Sequence, residues 1–149
     1  MGFFSQVRDE APMLVPVPLT REAEYRRFQL ATWVRECAIE GKDFVVDQRK
    51  NRTYRTASLR QFVIPLLKEM NLEGRKFMMI RDCDVRLFSA DQETHCIPIN
   101  IVAGIPHIVD LHGSSRILMV GYVNVTHTDY LLEPEVDFLV VGRDVEQQG

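Results

Sequence analysis

The sequence predicts an α+β domain, in which two N-terminal helices pack on a mostly antiparallel sheet of four to six strands. The first observation is a change of hydrophobic period near Gly74. Before this point apolar residues recur every three or four positions, as on a helix face; after it they alternate, as in strands. The second observation is size, because 149 residues can bury a core without disulfides or metal ions. A sheet covered on both faces is the main alternative.

The chain is expected to divide into an extended arm at residues 1–19, one α+β domain at 20–142 and a polar tail at 143–149. The arm contains three prolines, which remove backbone donors and favour an extended course. The residues around the prolines are apolar, whereas a flexible linker would be polar. We therefore expect the arm to lie on an apolar surface, either of its own domain or of a neighbouring chain.

The first helix is predicted over residues 21–40. Thr20 can accept a hydrogen bond from its first turn, and Gly41 can end it in a left-handed conformation. A short strand is predicted next, at residues 43–47, where two valines follow a phenylalanine.

The second helix is predicted from an apolar stripe with helical spacing, which consists of Leu59, Phe62, Val63, Leu66, Leu67 and Met70. Thr56 or Ser58 can cap its beginning, and Gly74 marks its end. Pro65 lies inside the stripe, which predicts either a kink or two shorter helical segments.

The second half of the chain is predicted to form strands at residues 76–88, 95–102, 105–111, 116–126 and 136–142. In the first of these segments Cys83, Val85 and Leu87 alternate with polar residues, so we expect them to face the core. Asp82 and Asp84 are then expected on a solvated face.

Two further features constrain the position of these strands. Pro98 cannot donate a hydrogen bond to a neighbouring strand, so its strand is expected at a sheet edge or beside a bulge. The segments 117–123 and 138–141 are apolar on both faces, and such strands are normally covered on both sides. Two helices cover only one face, so the other face needs a second sheet, the arm or another subunit.

An apolar face that is left uncovered would be an interaction surface. The sequence therefore predicts a partner interface formed by the arm and by one of the two-faced strands. Its candidate residues are Met13, Leu14, Val15 and Val17 in the arm and Leu118, Val120 and Tyr122 in the strand.

A basic segment provides the candidate anion-binding site. No acidic residue occurs from Gln48 to Lys68, a stretch that contains Arg49, Lys50, Arg52, Arg55 and Arg60 around Tyr54. Such a cluster can neutralise phosphates while the tyrosine ring stacks on a base, and it can equally bind an anionic membrane or an acidic protein. A solvated loop that leads into the second helix is the simpler interpretation.

Charge is unevenly distributed between the two halves of the chain. The net charge is −3, of which residues 1–73 contribute +2 and residues 74–149 contribute −5. Opposite signs at the two ends favour head-to-tail contact between copies, although salt weakens this attraction. The overall negative charge argues against a nucleic-acid-binding module, which is one alternative function.

The other alternative is a small hydrolase or a metal-dependent enzyme that uses His107, Asp110 and His112 with Ser114 or Ser115. On a strand Asp110 and His112 point to the same side, and His107 points to the other. Zinc needs three or four ligands, and no G-x-S-x-G motif is present. The sequence therefore predicts no catalytic set, no metal site and no cofactor.

The three cysteines are an odd number without C-x-x-C spacing. This pattern is typical of free thiols in the cytoplasm or another reducing compartment. No apolar stretch approaches the length of a membrane-spanning helix.

The segment from Arg52 to Ile80 contains, in order, a basic and aromatic strand, an apolar helix, a basic turn and an apolar strand. It loosely resembles small matrix proteins of negative-strand RNA viruses, over less than a fifth of the chain and without a diagnostic motif. The apolar arm, the two-faced strands and the lack of a catalytic set favour a non-enzymatic protein. Such a protein would act by self-association or as a subunit of a larger complex, such as a virus particle.

Overall fold

The computed structural model describes residues 16–88 and 93–145, with side chains as far as Gly142. Within these ranges the elements are β1 (Val17–Pro18), α1 (Arg21–Glu40), β2 (Phe44–Val46), β3 (Arg52–Tyr54), α2 (Ala57–Glu69), β4 (Arg75–Asp82), β5 (Arg86–Phe88), β6 (Thr94–Ile101), β7 (His107–Asp110), β8 (Ser115–Ile117), β9 (Tyr122–Thr126), β10 (Tyr130–Glu133) and β11 (Val136–Val145). The strands form two sheets, one of seven strands and one of four. The prediction of two helices on one sheet of four to six strands is therefore wrong, since the fold is mostly β.

The two sheets are built from alternating parts of the chain. The large sheet has the order β1-β9-β6-β11-β4-β3-β2, and the small sheet has the order β5-β10-β7-β8. Every neighbouring pair is antiparallel. From β4 onward the chain passes back and forth between the sheets, so the strands of each sheet come from separate parts of the chain.

The large sheet is buried on both faces, and each face contributes to a separate core. The helices cover one face, where the buried sheet residues are Tyr54, Met79, Ile97, Ile99, Val123, Leu139 and Val141. The small sheet and its loops cover the other face; the second core consists of Ile80, Phe88, Cys96, Ile108, Leu118, Tyr130, Leu132, Val136 and Phe138. A second sheet is thus what covers the two-faced segment 138–141 of β11, and it is one of the three possibilities that the sequence leaves open. The other segment, 117–123, is not a two-faced strand, because the chain passes from β8 in one sheet to β9 in the other within it.

Two of the predicted strands are divided between the sheets. Residues 76–88 form most of β4 in the large sheet and all of β5 in the small one, and residues 116–126 include parts of β8 and all of β9. Between β8 and β9 the chain turns at Gly121, where φ is 98°, a value that glycine adopts without strain. β10 has no counterpart among the predicted strands, although it lies between β5 and β7.

Both helices and the strand predicted at residues 43–47 are confirmed, and a second strand, β3, follows it before α2. α1 begins after Thr20, whose side chain accepts a hydrogen bond from the backbone N–H of Ala23, and it ends at Gly41 in the left-handed conformation. α2 begins after Thr56 and ends at Met70, which is earlier than the predicted end. It continues through its internal proline instead of dividing there.

Pro98 lies beside a bulge, one of the two positions that its strand pattern predicts. β6 is an inner strand of the large sheet, and its register with β11 shifts so that Ile99 has no residue directly opposite. The guanidinium of Arg27 on α1 donates a hydrogen bond to the carbonyl oxygen of Ile99, at 2.9 Å. The bulge therefore gives a buried backbone group a partner and holds α1 against the middle of the sheet.

A substitution at Phe138 tests how much the core between the sheets contributes to stability. Its side chain is fully buried, and its ring centroid lies 6.3 Å from that of Phe88 in the small sheet. Phe138→Ala should lower the free energy of unfolding by about 3–5 kcal/mol, because it leaves a cavity where the two sheets meet. The control Ile39→Ala, at a position on α1 that is 85% exposed, should cost less than about 1 kcal/mol. Chemical denaturation measures both variants. A loss in free energy of unfolding for Phe138→Ala that is no larger than that of the control would show that this core does not stabilise the fold.

Candidate functional site

The first two residues of the basic segment lie in the turn between β2 and β3. Arg49 and Lys50 are both exposed there. The carboxylate of Asp47 shapes the turn, since it accepts hydrogen bonds from the backbone N–H groups of Arg49 and Asn51 at 2.8 and 2.9 Å. Arg49 Nε lies 3.7 Å from Asp84 Oδ2 in an exposed ion pair, and such pairs contribute little energy.

Two further residues of the segment pack on the sheet. Tyr54 is only 2% exposed, and its ring centroid lies 6.1 Å from that of Trp33 and 5.4 Å from that of Phe44. The guanidinium of Arg52 lies over the ring of Phe44, 4.5 Å from its centroid. The ring of Tyr54 is therefore not available to stack on a nucleic-acid base.

Arg55 and Arg60 lie on either side of the beginning of α2. The guanidinium of Arg60 lies 5.7 Å from the ring centroid of Phe77 on β4. Together with Lys76, the two arginines line a cavity beside β4. The structure thus places the basic segment in three locations, the β2–β3 turn, the helix-covered face of the sheet and the mouth of this cavity.

The histidine, aspartate and serine group does not converge on one site. Asp110 Oδ1 accepts hydrogen bonds from the backbone N–H groups of His112 and Ser114, both at 2.9 Å, so it holds the β7–β8 turn in shape. His107 lies on the outer side of the small sheet, with Nδ1 3.0 Å from the carbonyl oxygen of Ile105. Within residues 16–88 and 93–145, no three potential metal ligands come together.

Only some residues of the predicted partner interface lie at the surface. Val17, Val120 and Tyr122 lie exposed near the β1–β9 edge of the large sheet. Leu118 is 3% exposed and belongs to the second core. The remaining members of the set, Met13, Leu14 and Val15, lie outside the described residues.

A surface that the sequence does not single out lies on the outer side of the small sheet. Leu131 on β10 lies directly opposite Leu87 on β5 and Val109 on β7, and Ile117 on β8 is diagonal to Val109. Leu87, Ile117 and Leu131 are 59%, 58% and 39% exposed. We call these four residues the outer apolar face.

The alternation at residues 82–87 predicts Leu87 in the core and Asp82 in solvent, and both expectations are wrong. Asp82 is fully buried at the end of β4, whereas Phe88 enters the second core and its neighbour Leu87 is exposed. The chain leaves the large sheet after Asp82 and enters the small sheet at Arg86, so the alternation is interrupted. A shift of one residue in strand phase exchanges the two faces of a strand. The alternation therefore predicts Leu87 in the core, although it belongs to the outer apolar face.

Asp82 is a buried charge between the two sheets. No hydrogen-bond donor among the described residues reaches either of its carboxylate oxygens. Burial raises its pKa to about 7, although the positive charge of Arg86 acts in the opposite direction. The negative charges of Asp84, Asp47 and Glu133 add to the increase. The carboxyl group is therefore partly protonated at neutral pH.

The three cysteines are free thiols, as their spacing predicts. Burial raises the pKa of Cys96 to about 12, and it raises those of Cys37 and Cys83 to about 11. All three thiols therefore stay protonated at neutral pH and should react slowly with thiol reagents.

No protein-family model, no curated protein and no solved structure matches this chain. In the described part of the chain, neither helix combines the length and the apolar composition that crossing a membrane requires. The function therefore has to be inferred from the surfaces described above.

Asp82 should make stability depend on pH. Its pKa is about 7 in the folded chain and near the ordinary value of 3.8 in the unfolded chain, so the folded state holds the proton more tightly. The contribution of Asp82 to the free energy of unfolding is therefore fully present below pH 3.8 and is lost as the pH rises to about 7. In this range the free energy of unfolding falls by up to roughly 1.4 kcal/mol per pH unit.

Asp82→Asn should remove this loss between about pH 5 and 7, because asparagine does not titrate. The control Asp84→Asn, at an exposed neighbouring position, should keep most of this loss, because burial is the main cause of the raised pKa of Asp82. Urea unfolding at several pH values measures both variants. A wild-type chain whose stability changes no more steeply than that of Asp82→Asn would contradict the raised pKa.

Proposed function

We propose that this protein is a non-enzymatic assembly protein, which acts by self-association or as a subunit of a larger complex such as a virus particle. The observation that carries the proposal is the outer apolar face. Antiparallel sheets exposed to water on one side normally place polar residues there. Here apolar side chains occupy neighbouring positions on four adjacent strands. Contiguous exposed apolar surface of this kind is typical of an interface.

A second copy of the chain is the partner that this face fits best. Consider a two-fold axis that runs parallel to β10 and passes over Leu131. This axis places Leu131 against its own copy, and it places Leu87 opposite Val109 of the partner subunit. The contact is then apolar on both sides and uses the same residues twice.

The polar neighbours of the face lie at the rim of this contact. Glu133 on β10 lies directly opposite His107 on β7, two residues along the strand from Leu131. Because the axis runs parallel to β10, it places Glu133 opposite Glu133 of the partner subunit. Carboxylates at a solvated rim repel each other only weakly, so the apolar residues carry the contact.

A larger assembly needs a second contact on each copy, and the β1–β9 edge can supply it. Val17, Val120 and Tyr122 are exposed at this edge. Two different surfaces on one subunit allow pairs to join into an extended array. Arg49 and Lys50 in the β2–β3 turn are exposed and suited to contact nucleic acid, an anionic membrane or an acidic partner.

The competing functions receive less support. An enzyme that uses His107, Asp110 and His112 needs side chains that converge, and in the structure Asp110 closes a turn while His107 lies on the outer face. A nucleic-acid-binding module lacks the stacking ring of Tyr54, which is buried. A reducing compartment such as the cytoplasm is the setting we propose, because it suits three free thiols.

Sedimentation velocity over a range of micromolar concentrations tests the proposal. The wild-type chain should sediment as a dimer or larger species that dissociates on dilution. The double variant Leu87→Glu with Leu131→Glu should be monomeric, because it places two negative charges in an apolar contact. Near-ultraviolet circular dichroism checks that both chains keep the same tertiary structure.

The matched control is Ile39→Glu with Val45→Glu, which changes the net charge equally at exposed apolar positions away from the face. This control should associate like the wild-type chain. A wild-type chain that is monomeric at every concentration would refute self-association. An equal effect of the two double variants would refute the assignment of the outer apolar face.

A further inference from the structure

A cavity of about 820 Å³ opens beside β4, where the neighbouring strand β3 ends. β3 pairs with β4 only from Arg52 to Tyr54, opposite Arg81 to Met79, whereas β4 begins at Arg75. The chain leaves the sheet after β3 to begin α2, so the first half of β4 has no strand on this side among the described residues. The cavity fills this gap, and its volume is in the range of small-molecule binding sites.

The interior of the cavity is largely apolar. Its walls include Phe77, Met78, Phe88, Tyr130 and Val140, which come from four strands of both sheets. Gly142 on β11 also lines the cavity and leaves room where a side chain would project. A Cβ atom at this position would meet the carbonyl oxygen of Lys76 at 3.8 Å, an ordinary contact distance.

The mouth of the cavity is positively charged. Arg55, Arg60 and Lys76 line it, and none of the described lining residues is acidic. This is notable in a chain that has 21 acidic and 18 basic residues. α2 begins at the same place with no acidic residue in its first turn, so the partial positive charge of its N-terminus adds to that of the three side chains.

A buried hydroxyl group is an independent indication of a ligand. Tyr130 lines the cavity and is 1% exposed. Its hydroxyl oxygen has no hydrogen-bond partner among the described nitrogen and oxygen atoms. The polar group beside it is the thiol of Cys96, which is a weak partner. A ligand that offers this hydroxyl a better partner offsets the cost of burying it. The hydroxyl of Tyr54, the other buried tyrosine of the lining, lies beside the guanidinium of Arg52 instead.

We propose that the cavity binds an amphiphilic anion, a molecule with a phosphate or carboxylate head and an apolar body. The head binds Arg55, just before α2, and Lys76 on β4, and the body packs between the side chains of the two sheets. The three cations select the sign of the head, and the apolar walls select a ligand with a hydrocarbon or aromatic body. The cavity is separate from the outer apolar face, so this site does not depend on self-association.

Isothermal titration calorimetry with dodecyl phosphate, below its critical micelle concentration, tests the site. The wild-type chain should bind it about tenfold or more tightly than it binds dodecyltrimethylammonium, which has the same tail and a positive head. Inorganic phosphate, which has no tail, should also bind about tenfold or more weakly. Equal binding of the two dodecyl compounds, or no binding of dodecyl phosphate, would overturn the proposal.

Two pairs of substitutions locate the site. Arg55→Gln with Lys76→Gln should weaken dodecyl phosphate binding about tenfold or more, because it removes two charges at the mouth. Arg49→Gln with Lys50→Gln removes the same charge from the β2–β3 turn and should leave binding unchanged. All four side chains are exposed, so both variants should fold. An equal loss of affinity in the two variants would show that the cavity is not the site.

Gly142→Val tests the apolar part of the site and should reduce dodecyl phosphate binding by narrowing the cavity, with thermal unfolding used to check the fold.

Vesicles of phosphatidylcholine with and without phosphatidylserine then identify the source of the anion. Vesicle binding that needs both phosphatidylserine and the pair Arg55 and Lys76 indicates a membrane lipid. Binding of dodecyl phosphate without vesicle binding indicates a soluble amphiphile.

Discussion

The middle strands of the large sheet, β4, β6 and β11, carry apolar side chains on both faces, and the rest of the structure depends on covering both. Burial of apolar surface contributes about 25 cal/mol per Å², so neither face can stay in water without a large loss of stability. The helices cover one face. The other is covered by the small sheet, whose strands lie in the connections between successive strands of the large sheet. Both cores therefore stabilise the same sheet.

This way of covering the sheet also produces the surfaces on which the two proposals depend. The small sheet is a single layer, so its inner side packs on the second core while its outer side is the outside of the molecule. Leu87, Leu131 and Ile117 lie on that outer side, where no other described element covers them. The cavity has a related origin, because β3 is shorter than β4 and leaves a gap that α2 borders without filling. The outer apolar face thus exists because only one side of the small sheet packs on the core. The cavity exists because β3 ends before β4 does.

Local features of the fold could be predicted from the sequence, and the arrangement of the strands could not. α1 has a capping threonine, a terminal glycine and a helical period, all of which act within a few residues, and its bounds are as predicted. Pro98 likewise indicated the bulge in β6. Sheet membership depends on distant partners, so nothing local shows that residues 76–88 change sheets after Asp82. A period of two also has two possible phases, and the phase that the alternation predicts places Leu87 inside. β10 is short and does not alternate clearly, so nothing local identifies Leu131 as a surface position.

The most direct test of self-association through the outer apolar face is chemical cross-linking at Leu131. A cysteine introduced there should be linked to the same cysteine of a second copy by a short bismaleimide, because the proposed two-fold axis passes over this residue. The native thiols contribute little background, since burial raises their pKa values to about 11–12. Ile39→Cys, at a position that is 85% exposed on α1, is the control. The account predicts a covalent dimer of Leu131→Cys and none of Ile39→Cys above the wild-type background. Equal dimer yields from the two variants, or no dimer from either, would contradict it.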